Sequence, residues 1–208
     1  MATLSGKQIA IVKKLYCEKQ YTMKQIAGHF GVSLNAVVYC MRHHGIPRRT
    51  LKECSKISFD KKPVSFTLKG RLSQGERELK IIGVVLYWGE GYKKIGSNRN
   101  STVDFANSDP EMIRAYVAFL RNICGVDETK LRVLLYCYAN QNTAELIRFW
   151  SKLTKISPLR FSKPYVRNDF REDKIGRMPH GLVHIRYADK KLLQVMLRWI
   201  EEYKNKYQ

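Results

Sequence analysis

The sequence predicts an α+β protein: a small N-terminal bundle of three helices followed by a larger domain with a mainly antiparallel sheet. Residues 5–46 carry apolar side chains at helical spacing, interrupted by capping and turn residues. From residue 76 onward, apolar helical runs alternate with short stretches of period-two hydrophobicity. Hydrophobic residues make up 44% of the 208-residue chain, enough for a real core.

The first helix lies in "GKQIAIVKKLYCEKQ", where Ile9, Val12 and Tyr16 share one face. Thr22 can cap a second helix whose inner face is Ile26, Ala27 and Phe30. Gly31 supplies a tight turn, and Ser33 caps a third helix burying Val37, Cys40 and Met41. Pro47 stops helical continuation, and Arg48 and Arg49 after it suit phosphate contact. Residues 51–75 include Lys61, Lys62 and Pro63 with little periodicity and read as a basic linker. The domain boundaries expected are therefore 1–50, 51–75 and 76–208.

The larger domain opens with "GERELKIIGVVLYWGEG", a helix of rising apolarity that reads as buried by its end. "YKKIGSNRNSTVDFANSDP" reads as two strands joined by a polar turn near residues 97–101. Asp109 or Ser108 caps the next helix, with Pro110 at its first position and Gly125 beyond its end. "KLRVLLYCYAN" is a third strand and "TAELIRFWSKLTKI" an inserted helix ended by Pro158. "RFSKPYVR" is a candidate strand, "GLVHIRYAD" another strand, and "KKLLQVMLRWIEEYKN" a closing amphipathic helix. Trp88, Trp150 and Trp199 all sit in apolar helical stretches and are assigned to the core.

Charge narrows the partner. The chain holds 38 Lys+Arg against 18 Asp+Glu, a formal +20, and the excess covers every segment. A polyanion is the expected partner, and duplex DNA fits better than a membrane surface because no transmembrane run or lipidation signal is present. "MATLSGKQIA" lacks the apolar core of a secretory signal. Five scattered cysteines form no C-x-x-C pair, which suits reduced thiols and a cytoplasmic, DNA-bound protein that is not secreted. No phosphate-binding loop, dinucleotide fingerprint or H-E-x-x-H pair occurs, so no small-molecule cofactor is expected. His180 and His184 fall on one face of a strand, a spacing that does not by itself make a metal pair.

Ala27, Gly31 and Val37 stand at offsets that resemble a helix-turn-helix DNA-binding domain over residues 5–46. That resemblance implies a second helix in the major groove, with Ser33, Asn35, Tyr39 and Arg42 facing bases or phosphates. An ordinary polar surface helix is the alternative for those four residues. The run "LYWGEG", followed by strands, a helix, further strands and a helix, resembles the LAGLIDADG homing-endonuclease domain over residues 76–203. In αββαβ(α)βα order, its implied saddle-shaped sheet lies over duplex DNA, and the 76–91 helix pairs with its copy in a homodimer. The resemblance makes Glu90 a catalytic ligand of Mg2+ or Mn2+, with Gly89 beside it in the metal site. Independently, a carboxylate at a helix C-terminus faces the negative end of the macrodipole, and a bound cation would reverse that interaction. The family often has a small residue six places before the final glycine. Val85 stands there, so a close helix crossing uses Gly83 and Gly89 or is looser. Lys163 is the candidate for charge stabilisation at the scissile phosphate. Lys93, Lys94, Arg99, Arg132, Arg167 and Arg186 are candidate DNA contacts, with a solvated basic face as the alternative. A non-cleaving transcriptional regulator on the same scaffold and, more distantly, an RNA-binding or mobile-element accessory protein are the competing readings.

Overall fold

Local capping chemistry organises the N-terminal unit, Met1–Pro63, in this computed structural model, which describes residues 5–94, 101–168 and 178–206. Helix α1 (Gly6–Lys13) starts at a capping box in which Ser5 N–H donates to Gln8 Oε1 at 2.8 Å. It runs into a π-helical turn at Lys14–Glu18, after which Gln20 takes a left-handed φ of 55°. Helix α2 (Met23–Phe30) opens with a second capping box, Thr22 with Gln25, and ends at Gly31 with φ 64°. That left-handed turn is open to glycine without strain and lets α3 (Leu34–His43) begin three residues later, capped by Ser33. Val12, Tyr16, Ile26, Ala27, Val37 and Met41 close the core of this unit.

The expected linker is not one. Helix α4 (Leu51–Lys61) occupies its first half, nucleated by a third capping box between Thr50 and Glu53. No residue of α4 is buried, which is why hydrophobic periodicity failed to reveal it. The second half, residues 64–72, belongs to the C-terminal unit, Val64–Gln208. Phe66 bridges to Val126, Thr67 N–H donates to Gly125 O, and Phe66, Leu68 and Leu72 pack on the core.

That unit is mixed α+β, with one four-stranded, mostly antiparallel sheet. Its helices are α5 (Gln74–Glu90), α6 (Pro110–Asn122), α7 (Thr143–Thr154) and α8 (Lys190–Asn205). The strands β1 (Val103–Asn107), β2 (Leu131–Tyr138), β3 (Tyr165–Arg167) and β4 (Leu182–Tyr187) are ordered β1-β4-β2-β3. Among the described residues only the β2–β3 strand pair is parallel. Of the hairpin expected before α6, β1 alone is a strand among the described residues. Its expected partner contributes an isolated Gly91–Phe105 bridge and a Tyr92 N–H to Asp104 O bond of 2.9 Å, and the expected turn falls mostly on residues 95–100, outside the described residues.

Alternation splits the sheet into two faces. Val103, Phe105, Val133, Leu135, Val183 and Ile185 are fully buried beneath helices that contribute Tyr116, Phe119, Trp150 and Met196. Asp189 fastens the entry to α8: its Oδ1 accepts from Lys191 N–H at 2.8 Å and its Oδ2 from Ser65 Oγ at 2.7 Å. Burial opposes ionisation of this carboxyl, but the hydrogen bonds it accepts outweigh that and hold it below the usual aspartate value of 3.8. A depressed folded value means the contribution is complete above about pH 4 and disappears as pH falls through the lower, folded value. Asp189→Ala is therefore expected to cost about 2 kcal/mol at neutral pH. In thermal melts, its deficit against wild type should close in acid.

Helix α5 departs from expectation. It is not buried on all sides: Gly83, Val84 and Tyr87 face the core, while Ile81, Ile82, Val85 and Trp88 are exposed. Trp150 and Trp199 are core residues as expected, but Trp88 is 39% exposed. Gly83 is spent inside the unit, since a methyl group there would overlap the ring of Phe119.

Candidate nucleic-acid interface

The outward face of the sheet carries the chemistry. Residues pointing away from the helices form rows across it, beginning with Asp104, Arg186 and Arg132 in direct register. The next row is Ala106, His184 and Leu134, and then come Leu182, Tyr136 and Tyr165. Tyr136 lies against His184 on one side and Tyr165 on the other, each at 4.9 Å between ring centres. Arg167 ends β3 opposite Tyr138 and lies 6.0 Å from that ring. An uncovered face with aromatic rings lying between Arg132 and Arg186 at one end and Arg167 at the other suits a polyanion whose bases offer flat surfaces.

Asp104 organises this face. Its Oδ1 is 2.8 Å from His184 Nδ1, and its Oδ2 accepts from Arg186 Nε at 2.8 Å. With a carboxylate as acceptor, Nδ1 carries the hydrogen. Burial disfavours the charged carboxyl, yet His184 and the Arg186 guanidinium hold it below the usual value. Arg132 Nη1 donates instead to the carbonyls of Thr129 at 2.7 Å and Leu131 at 2.8 Å.

The end of α5 forms a second feature. Gly91 is buried, and any side chain there would strike the Tyr87 ring and carbonyl, so the chain leaves the helix pressed against its own last turn. Tyr87 Oη donates to Tyr92 O at 2.6 Å, and Lys93 Nζ to Gly91 O at 2.9 Å. These bonds fix the exit, and Glu90 is held exposed at the helix tip, with no hydrogen bond or ion pair among the described residues. Gly89 has open space around it. Lys94 is exposed just beyond. One carboxylate beside one glycine is too small a set for a resident ion, and no group of three or more ligating side chains occurs among the described residues. The set fits a magnesium ion only as one share of a site completed by a second carboxylate and phosphate oxygens.

Lys163 is not part of that feature. It precedes β3 at one edge of the sheet, whereas Glu90 adjoins β1 at the other. Three strand spacings separate the edges, about 14 Å. In the single chain Lys163 and Glu90 therefore lie at opposite edges of the sheet, with β4 and β2 between them. Arg99 lies outside the described residues.

In the N-terminal unit, Asn35, Tyr39 and Arg42 share the exposed face of α3. Ser33 is exposed too, but its hydroxyl accepts from Ala36 N–H and works as the cap. Sequence reasoning missed Leu34, 47% exposed at the start of this helix, and His43, stacked on Tyr39 at 5.8 Å. His43 follows from its i+4 relation to Tyr39, and Leu34 precedes Asn35 at the start of the same helix. Arg48 is exposed, whereas Arg49 is committed to the fold. Its guanidinium lies 3.9 Å over the Tyr16 ring and donates to the carbonyls of Tyr16 and Tyr21, tying off the end of the first helical segment. Both bonds use Nη2, so Arg49 has an internal role that the sequence did not suggest.

No family model, curated protein or solved structure matches this chain. Among the described residues no helix is long and apolar enough to cross a membrane.

Proposed function

We propose that this chain is a site-specific duplex-DNA-binding protein that acts as a homodimer and hydrolyses phosphodiester bonds with a divalent metal. The uncovered sheet face carries the reading: Arg132, Arg167 and Arg186 stand among Tyr136, Tyr165 and His184 on a chain of net charge +20. The two-unit organisation supports a LAGLIDADG-like domain preceded by a helix-turn-helix module whose α3 enters the major groove.

The exposed face of α5 supports the dimer. Its exposed residues Ile81, Ile82, Val85 and Trp88 form an apolar stripe at i, i+1, i+4 and i+7 that a second copy of α5 would cover. Gly89 continues the stripe where close approach is unobstructed, so each copy brings its Glu90 towards the two-fold axis. Val85 keeps the crossing wider than a pair of small residues would. Two Glu90 carboxylates, one from each chain, would hold magnesium beside the scissile phosphates. The metal, when bound, supplies a water acidic enough to attack phosphorus and neutralises charge on the phosphate. Glu90 itself orients that ion and is no proton shuttle in this scheme, and Lys93 and Lys94 lie near enough in sequence to contact the phosphate backbone.

Selection of bound and cut sequences from a randomised duplex library, with Mg2+ or Mn2+ present, tests this. Enrichment and metal-dependent cutting of one site are expected. A site that is selected tightly but never cut would make the chain a regulator. Preference for structured RNA over duplex DNA would remove the reading altogether.

A further inference from the structure

Arg186 and Arg132 are directly opposed on neighbouring strands, an arrangement that like charges disfavour unless an anion lies between or above them. Among the described residues an acid lies on only one of the two. Asp104 takes Arg186 by Nε, while Arg132 turns back to backbone carbonyls at the start of its strand. A general phosphate contact needs no such restraint, because a mobile cation reaches a phosphate from many directions. A guanidinium pinned at Nε keeps its plane and aims its two Nη groups away from the pin, a fork matched to two coplanar acceptors. In the major groove, the O6 and N7 atoms of guanine present that pair. Asp104 also takes His184 Nδ1, and the Tyr136 ring backs the imidazole, so the carboxylate is itself held from a second side. Its side chain is only 15% exposed against 36% for Arg186, which places the acid below the arginine it orients.

We propose that Asp104 is a positioning residue for DNA specificity: through its bond to Nε it fixes Arg186 to read one guanine in each half-site. The inference rests on the DNA-binding reading above and adds to it a base, a reader and the residue that sets the reader's angle. Asp104 touches no DNA in this arrangement, and removing it lowers selectivity without lowering general affinity.

Sequence selection on randomised duplexes by the full-length protein, with Arg186→Ala, Asp104→Ala and the double variant beside wild type, tests it. Wild type should enrich guanine at one position per half-site. Arg186→Ala should flatten that position, lowering the preference roughly ten- to hundredfold. Asp104→Ala should flatten the same position while binding of unrelated duplex holds or strengthens, since an acid has left a basic face. The double variant should match Arg186→Ala alone, because the acid acts through the arginine. Asp104→Asn, which keeps a carbonyl acceptor for Nε, should retain part of the preference and guards against a merely unfolded alanine variant. If Asp104→Ala and Asp104→Asn shift affinity equally on all sequences and keep the guanine, the inference falls while DNA binding stands. If wild type selects no duplex at all, the functional reading falls and takes the inference with it.

Discussion

Glu90→Gln is expected to abolish metal-dependent cleavage while leaving duplex binding intact or slightly tighter. The substitution keeps size and shape and removes one negative charge from an exposed helix tip that no described side chain engages. Folding therefore has little to lose. Catalysis has much to lose, because the carboxylate is this chain's share of the metal site and an amide oxygen binds magnesium far more weakly. A loss of about 4 kcal/mol of transition-state stabilisation corresponds to roughly a thousandfold in rate. Single-turnover cleavage and gel-shift titration of the same site, run side by side, separate the two effects. Equal weakening of both would mean that Glu90 supports the fold or the DNA contact, and a variant that still cuts would remove it from the metal site.

Gly83→Leu carries the largest expected effect on stability. Gly83 sits on the core face of α5, where even a methyl group would overlap the ring of Phe119, itself fully buried. Overpacking of this kind costs about 1–3 kcal/mol and occasionally more, and a leucine against an immobile ring belongs at the upper end. Leaving glycine returns only about 1 kcal/mol of helix propensity. A fall in Tm of roughly 5–10 °C is expected. Gly89→Ala is the companion, with open space around it and no expected loss of monomer stability. Similar melting of the two variants would contradict the assignment of the two α5 faces.

The contrast between those glycines shows what the sequence could and could not convey. Caps at Thr22, Ser33 and Asp109 and the turn at Gly31 were legible because each depends on neighbours a few residues away. Helix α5 was legible as a helix but not by face, since "IIGVVLYW" is apolar all round and periodicity cannot say which side meets the core. Helix α4 escaped because it buries nothing, although its Thr50–Glu53 capping box was there to be found. Within the sheet, Arg132 and Arg186 were legible as exposed cations. Asp104 was not, for its partners lie 80 and 82 residues further on, and only the β1–β4 register brings them together. Arg49 shows the same limit: its bonds to the carbonyls of Tyr16 and Tyr21 reach back 33 and 28 residues, and nothing local announces them.

Salt dependence of duplex binding tests the central claim most directly. Fluorescence-anisotropy titrations of the full chain on one duplex, from about 50 to 200 mM salt, should show affinity falling roughly tenfold or more as counterions are released. Arg132→Ala should make that dependence shallower by about one unit of log–log slope, placing the contact on the sheet face. No binding, or an affinity that stays flat across the series, would contradict the account.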